Sequence, residues 1–142
     1  PFARNCQLAS ITNDLNPDTA AQHHLDALEF LQMQPYQSVD FVLLDPPFSD
    51  VMNNRHYDAV KLTGEKSNMY TDATYFKSIM LEIDRILKPG GQVLKFGYNT
   101  SVLSVNLELV KVWVVNYLSV RNDTLVSLLV KRNQTLDVFT PH

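Results

Sequence analysis

The spacing of apolar residues predicts a chain of alternating strands and helices. Residues 39–44 (V-D-F-V-L-L) are almost continuously apolar, which is typical of a strand covered on both faces in a parallel α/β sheet. Further along, a 3-4 spacing predicts a helix that Asp72 caps. Its buried positions are Phe76, Ile79, Met80, Ile83 and Leu87. Residues 88–91 (K-P-G-G) end this helix, and residues 92–97 form the next strand.

The two ends of the chain complete the pattern. Residues 10–15 favour a short strand that ends at the turn Asn16-Pro17. Asp18 or Thr19 can then cap a helix that runs to Phe30, and a break in this helix near residues 24–26 stays open. Residues 108–117 and 124–131 carry the strongest β signals, and the turn residues 119–123 between them predict an antiparallel hairpin. We therefore expect an α/β fold, mostly parallel, with an antiparallel C-terminal hairpin.

Length, composition and charge set limits on function. The 142 residues fit one domain, with 45% apolar and 19% charged residues, and no apolar run approaches the roughly 18 residues of a membrane span. The single cysteine, Cys6, suits a cytoplasmic protein. Residues 1–60 hold two basic and eight acidic side chains (net −6), and residues 61–142 hold ten basic and seven acidic ones (net +3). A nucleic-acid surface is therefore expected in the second half.

Acidic side chains mark the ends of predicted strands, where open α/β sheets bind ligands. Asp14, Asp26 and Asp45 lie at or near such ends. The sequence Asp45-Pro46-Pro47-Phe48 resembles the Asp/Asn-Pro-Pro-aromatic motif of methyltransferases that act on adenine N6 or cytosine N4. Residues 88–91 resemble a turn found in many class I methyltransferases. The resemblance implies a Rossmann-like sheet and the cofactor S-adenosylmethionine.

The same resemblance assigns residues to the cofactor and to catalysis. Residues 13–17 (N-D-L-N-P) resemble the motif whose carboxylate, here Asp14 beside Asn16, holds the ribose hydroxyls. Residues 24–27 (H-L-D-A) resemble the motif in which Asp26, followed by Ala27, accepts a hydrogen bond from the cofactor's adenine amine. In catalysis, Asp45 and the Pro46 carbonyl accept the two N–H groups of the target amine. Pro47 helps to fix the backbone, and Phe48 stacks on an unpaired base.

The chain departs from the family at its beginning. The family has a glycine-rich turn, F-x-G-x-G, where this chain has residues 1–6 (P-F-A-R-N-C). Ala3 can replace one glycine, and the side chains of Arg4 and Asn5 can meet the cofactor carboxylate. The first, central strand is missing, so we expect a single domain, 1–142, that is incomplete at its N-terminus and poorly active alone.

Several alternatives stay open. Adenine N6 in DNA is the favoured target, with cytosine N4 or RNA as alternatives, and a phage-like origin would place the protein in the host cytoplasm. A catalytically silent methyltransferase-like module and a protein-glutamine methyltransferase are the other candidates. Residues Arg55, His56, Tyr57, Lys61 and Lys66 of the long segment 49–71 can recognise the target, while Tyr98 and Asn99 can border the site. Trp113 is expected in the core. The sequence predicts neither a metal site nor an oligomeric state.

Overall fold

The computed structural model describes residues 2–46, 72–116 and 123–133. These form, in chain order, α1 (Ala27–Gln32), β1 (Val39–Leu44), α2 (Ala73–Ile86), β2 (Leu87–Gly97), β3 (Leu107–Val115) and β4 (Thr124–Lys131). The strands make one sheet in the order β1-β2-β4-β3. The α/β class is confirmed. None of the helices in these ranges is long and apolar enough to cross a bilayer.

The expectation of a mostly parallel sheet is wrong. Within the sheet of the described residues, β1 and β2 form the one parallel pair, whereas β4 pairs antiparallel with both β2 and β3. The reason is that β4 returns from β3 and inserts beside β2, with Ser127 opposite Lys95. The pairing of β3 with β4 confirms the hairpin, and most of its turn lies outside the described residues.

Helix α2 forms as its apolar spacing predicts. The Asp72 carboxylate accepts a hydrogen bond from Thr74 N at 2.6 Å and caps the first turn. Ile79, Met80 and Ile83 are buried in the core with residues of β1, β2 and β4. Leu87, predicted on the helix, instead begins β2 because its backbone is extended, with φ −69° and ψ 136°.

The predicted turn at residues 88–91 follows the end of α2 and forms a bulge within β2. The register passes from Val39 opposite Leu87 to Phe41 opposite Gln92, so β2 carries three extra residues. Gly90 has φ +75°, and a Cβ on Gly91 would lie 2.8 Å from the Lys88 carbonyl oxygen. A side chain would be strained at position 90 by the backbone conformation and would clash at position 91, which explains the glycine pair.

The predicted helix from residue 18 or 19 to Phe30 is wrong in its first part. His23 N donates to Thr12 O at 3.1 Å and Asp14 N donates to His23 O at 3.0 Å, so residue 23 forms an isolated parallel bridge with Asn13. This pairing holds the backbone extended, and Asp26 caps the short α1 afterwards. The strand expected at residues 10–15 is reduced to this bridge.

The placement of Trp113 in the core is also wrong. Trp113 lies on β3 with 40% of its surface exposed, and Lys111 Nζ lies 4.9 Å from the centroid of its ring. Strand β3 is at the edge of the sheet, and among its residues only Leu107 is buried.

Candidate functional site

A groove of about 740 Å³ is lined mainly by β1, the outermost strand of the described sheet, and by residues 2–12. It brings together four residues that the sequence selects: Ala3, Arg4, Asn5 and Asp45. Most of its remaining wall is apolar, including Leu8, Ile11, Phe30, Phe41, Leu43 and Phe96. The groove therefore joins the predicted cofactor turn to the predicted catalytic carboxylate.

Asp45 stands at the carboxyl end of β1. It follows the fully buried Leu44 directly, is exposed, and lines the groove. Pro46 is buried behind it. Pro47 and Phe48 lie outside the described residues. The structure thus places the first half of the predicted catalytic motif at a groove, at the end of a parallel strand where α/β sheets bind ligands.

The turn formed by residues 3–6 keeps a backbone that suits glycine. Cys6 N donates to Ala3 O at 2.8 Å, and Ala3 N donates to Asn13 O at 2.9 Å. Arg4 has φ 48°, in the left-handed region that side chains with a Cβ disfavour. In the family pattern F-x-G-x-G, Arg4 stands at the first glycine. The left-handed residue of this turn is therefore Arg4 and not Ala3, which was expected to replace a glycine.

Asp14 connects this turn to the second predicted motif. Its carboxylate accepts from Arg4 N at 2.8 Å and from Asn16 N at 3.0 Å. A carboxylate offers about four acceptor positions, so Asp14 can still accept hydroxyl groups. Asp14 and Asn16 do not line the groove, but Asp14 contacts Arg4, which does. The Asn16 carboxamide oxygen accepts from Asp18 N at 2.9 Å and holds the following turn.

Asn13, the neighbour of Asp14, has a structural role. Its side chain is 1% exposed, donates to Leu25 O at 2.9 Å and accepts from Leu25 N at 3.0 Å. This pair of bonds joins the segment around residue 13 to the start of α1. Of the two neighbours, Asp14 is therefore the one that can meet a ligand.

Asp26 and Ala27 lie away from the groove lining. The Asp26 carboxylate caps α1 by accepting from Leu28 N at 2.9 Å, and the Tyr75 hydroxyl lies 2.8 Å from both of its oxygens. Ala27 is 2% exposed and belongs to the core. Sequence reasoning missed Tyr75, because nothing in its helical position indicates a carboxylate partner 49 residues earlier.

Lys95 is a second residue that sequence reasoning missed. Its side chain is 2% exposed, lies opposite Leu44 on the neighbouring strand, and donates to Ser101 O at 2.7 Å and to Asn99 Oδ1 at 3.3 Å. Burial lowers the pKa of Lys95. A lysine inside an apolar strand was the available signal. Tyr98 and Asn99 do not line the groove. The five candidate recognition residues of segment 49–71 lie outside the described ranges.

Two histidines, His23 and His24, lie in the described part of the chain. His24 Nδ1 lies 3.2 Å from Asp14 O, and the His23 ring lies 5.5 Å from the ring of Phe30, centroid to centroid. Among the described residues, no group of three or more His, Cys, Asp or Glu side chains is arranged to hold a metal ion.

Comparisons with known proteins show the fold alone. No protein-family model matches the chain, and no curated protein matches it. Among solved structures, it is similar to a protein from Thermus thermophilus provisionally described as a DNA modification methylase, with a TM-score of 0.50 and 13% identity. The match covers 76% of this chain and 51% of that chain. A second structure of that protein gives a TM-score of 0.49 and 14% identity, and the match covers 77% of this chain and 52% of that chain. The chain thus shares the α/β fold of that neighbour over the matched part and spans about half of the neighbour's length.

Proposed function

We propose that this chain is the catalytic part of an S-adenosylmethionine-dependent methyltransferase that acts on an exocyclic amine of a nucleobase, foremost adenine N6 in DNA. The supporting observation is that one groove is lined both by Asp45, at the end of β1, and by the turn containing Arg4. The fold likeness to a protein provisionally described as a DNA modification methylase agrees with this choice of substrate.

The cofactor would lie between the N-terminal turn and Asp45. Ala3 and Asn5 line the groove there, and the Arg4 guanidinium offers a cation for the cofactor carboxylate. Asp14 retains acceptor positions for the ribose hydroxyls. Asp26, with Ala27 beside it, would accept from the adenine amine in addition to capping α1. When bound, S-adenosylmethionine supplies an electrophilic methyl group.

The chemistry asked of Asp45 follows from the substrate. An adenine amine is a weak nucleophile because its lone pair is delocalised into the ring. If Asp45 and the Pro46 carbonyl each accept one N–H, the nitrogen becomes more tetrahedral and more nucleophilic, and the carboxylate can take up the proton that the amine loses. Pro47 would keep the backbone fixed and Phe48 would stack on the base. Alignment and electrostatics would provide most of the rate gain.

One observation favours a second candidate, a catalytically silent module that keeps the fold. Arg4 holds the left-handed turn where the family has glycine, so a side chain stands where bare backbone would approach the cofactor. Calorimetric titration with S-adenosylmethionine separates the two candidates. Saturable binding that Asp14→Ala weakens supports the enzyme, and absence of binding supports the silent module.

The activity test uses the protein as the cell makes it, with methyl-labelled cofactor and separate DNA, RNA and protein substrates. We expect label on adenine in DNA, and Asp45→Ala should lower the rate by about 10²–10³-fold because a transition-state acceptor is lost. Asp40→Ala is the matched control, since it removes an exposed carboxylate of β1 that lines the same groove. Label on cytosine, RNA or glutamine would name a different substrate, and equal loss in both variants would contradict the role of Asp45.

A further inference from the structure

We propose that Asn99 is a specificity-determining residue that donates a hydrogen bond to the ring nitrogen beside the amine of the target base, and that the buried Lys95 positions it. This inference rests on the proposed function, because it concerns the base whose amine Asp45 would bind. It adds a hydrogen-bond donor to the two acceptors already assigned to that base, Asp45 and the Pro46 carbonyl.

The Asn99 carboxamide is held in one orientation. Its Oδ1 atom accepts from Ser101 N at 3.1 Å and from Lys95 Nζ at 3.3 Å. A backbone N–H group can only donate, so the oxygen of the carboxamide, and not its nitrogen, faces Ser101. In the described part of the chain the Nδ2 group donates to no other residue, and Asn99 is exposed. Asn99 therefore presents its amide donor to an incoming ligand.

Lys95 supports this orientation from inside the protein. Its side chain is 2% exposed, and its Nζ atom also donates to Ser101 O at 2.7 Å and lies 5.5 Å from the centroid of the Phe76 ring on α2. The ion pairs of the described residues do not include Lys95. An aspartate at position 99 would accept the same two hydrogen bonds and would give this buried ammonium a charged partner. Structure alone would therefore favour aspartate, and what asparagine adds is the N–H donor.

The position of Asn99 in the fold suits contact with a base. Lys95 lies opposite Leu44 in the parallel pair, so Asp45 stands beside the carboxyl end of β2, with neighbouring strands about 4.8 Å apart. Lys95 and Phe96 face opposite sides of β2, and Phe96 lines the groove. The Asn99 carboxamide, which bonds to Lys95, therefore lies on the side away from the groove. A cofactor in the groove and a base on this other side would approach Asp45 from opposite directions, as in-line methyl transfer requires.

The chemistry of an amine-bearing base calls for a donor next to the acceptors. Adenine carries the ring nitrogens N1 and N7 on the two sides of its amine, and cytosine carries N3 beside its amine, and all three nitrogens accept hydrogen bonds. Asp45 would accept from the amine while Asn99 donates to the ring nitrogen, the same pair of bonds that one asparagine side chain makes with adenine in DNA. On the Watson–Crick edge, guanine and thymine lack an amine beside an unprotonated ring nitrogen. The two contacts together therefore select adenine and cytosine.

The test measures the binding of free nucleosides to the isotope-labelled full protein by nuclear magnetic resonance, so that no target sequence is needed. The probes are 2′-deoxyadenosine and its 1-deaza and 7-deaza analogues, in which a C–H group replaces N1 or N7. We expect the side-chain N–H signals of Asn99, assigned by their absence in Asn99→Asp, to shift on titration with 2′-deoxyadenosine. The dissociation constant should be about tenfold higher for the analogue that lacks the contacted nitrogen.

Three variants separate the donor from structural effects. Asn99→Asp keeps both hydrogen bonds to Oδ1 but loses the donor, so it should bind the three nucleosides equally and unfold at no lower temperature than the wild type. Val105→Asp is the matched control, because it adds the same charge at an 86% exposed position between β2 and β3 and should keep the discrimination. Lys95→Met removes one of the two bonds to Oδ1 and should lower the discrimination to about threefold.

The outcomes distinguish this inference from the proposed function, because nucleoside binding is measured without methyl transfer. Discrimination by the wild type that Asn99→Asp abolishes supports the proposal, and it does so also in a protein that transfers no methyl group. Equal discrimination by the wild type and Asn99→Asp, no discrimination by the wild type, or no saturable binding of any of the three nucleosides overturns it, even where methyl transfer is observed. Full discrimination by Lys95→Met would overturn the positioning role of Lys95.

Discussion

Two regions of this molecule are held together by different forces. In residues 2–26 the buried residues are Thr12, Asn13 and Ala21. In α2, β2 and β4, by contrast, the buried side chains are mainly large and apolar: Ile79, Met80, Ile83, Ile86, Leu87, Val93, Val126 and Leu129. Full burial of one such side chain contributes roughly 1.5–3 kcal/mol, whereas one hydrogen bond contributes about 0.5–1.5 kcal/mol net.

The N-terminal region relies on side-chain bonds to its own backbone. Besides the bonds of Asn13 and Asp14, Thr12 N donates to Gln22 Oε1 at 3.0 Å and Ala20 N donates to Asn5 Oδ1 at 2.8 Å. Such hydrogen bonds fix the shape of the loop although the region buries few apolar side chains. The candidate cofactor region is therefore expected to open locally while the sheet stays folded, as binding regions commonly do.

The largest effect is expected in the sheet region, from Lys131→Met. Lys131 is 4% exposed, donates to Leu87 O at 2.9 Å and lies 3.4 Å from Asp84 Oδ1. Removing its charge leaves the buried Asp84 without a cation, so the free energy of unfolding should fall by about 3–5 kcal/mol in urea denaturation.

The neighbouring residue provides the control for this change. Arg132 pairs with Glu108 at 3.4 Å, but both side chains are about 60% exposed (62% and 59%). Arg132→Met should therefore change the free energy of unfolding by no more than about 0.5 kcal/mol. Similar losses in the two variants would show that the buried ion pair is not what distinguishes the sheet region.

A smaller and local effect is expected in the N-terminal region, from Asn13→Ala. The variant loses both hydrogen bonds to the backbone N–H and C=O of Leu25. This loss should destabilise the local structure by about 2 kcal/mol. Amide exchange of Asp14 and Leu25 should rise by about 30-fold, and exchange in β4 should stay constant. Gln7→Ala, which removes an exposed bond to Ala20 O, is the control. If the exchange of the β4 amides rises by the same factor, the two regions unfold as one unit.

The cap at Asp26 connects the two regions, so its removal should affect both. Asp26→Ala removes the helix cap of α1 and the partner of the Tyr75 hydroxyl, and should lower the free energy of unfolding by about 1–2 kcal/mol. Thermal denaturation of both variants separates the contribution of the cap from that of the Tyr75 hydroxyl, because Tyr75→Phe removes only the hydroxyl. A larger loss for Tyr75→Phe than for Asp26→Ala would contradict the capping role.

Sequence patterns predicted the sheet region better than the N-terminal region for the same physical reason. Apolar spacing reports burial, so it located β1, α2 and the hairpin. It failed before residue 26, where the shape depends on side-chain bonds such as Asn13 to Leu25, which have no period in the sequence. It also failed to reveal that β4 lies beside β2, because strand order depends on long-range pairing.

The candidate site shows the same division. Asp45 could be selected from the sequence because two prolines follow an apolar strand, and it lines the same groove as residues 3–5. Its role in catalysis stays a prediction. Tyr75 and Lys95 could not be assigned partners from sequence, since those partners are Asp26 on a distant segment and the backbone of Ser101. The roles of Asp14, Asn16 and Ala27 toward a cofactor stay predictions.

The smallest expected effect has the opposite sign. Arg4 holds φ 48°, which costs about 1–2 kcal/mol for a residue with a Cβ, while glycine loses about 0.5–1 kcal/mol more backbone entropy on folding. Arg4→Gly should therefore stabilise the turn by about 0.5 kcal/mol, and the amides of residues 4 and 6, which donate to Asp14 and Ala3, should exchange about twofold more slowly. Arg4→Ala is the control, because it removes the cation but keeps the Cβ, and it should give no protection. Faster exchange in both variants would mean that the arginine side chain itself holds the turn, and the N-terminal region would then owe its shape to a charge as well as to short polar side chains.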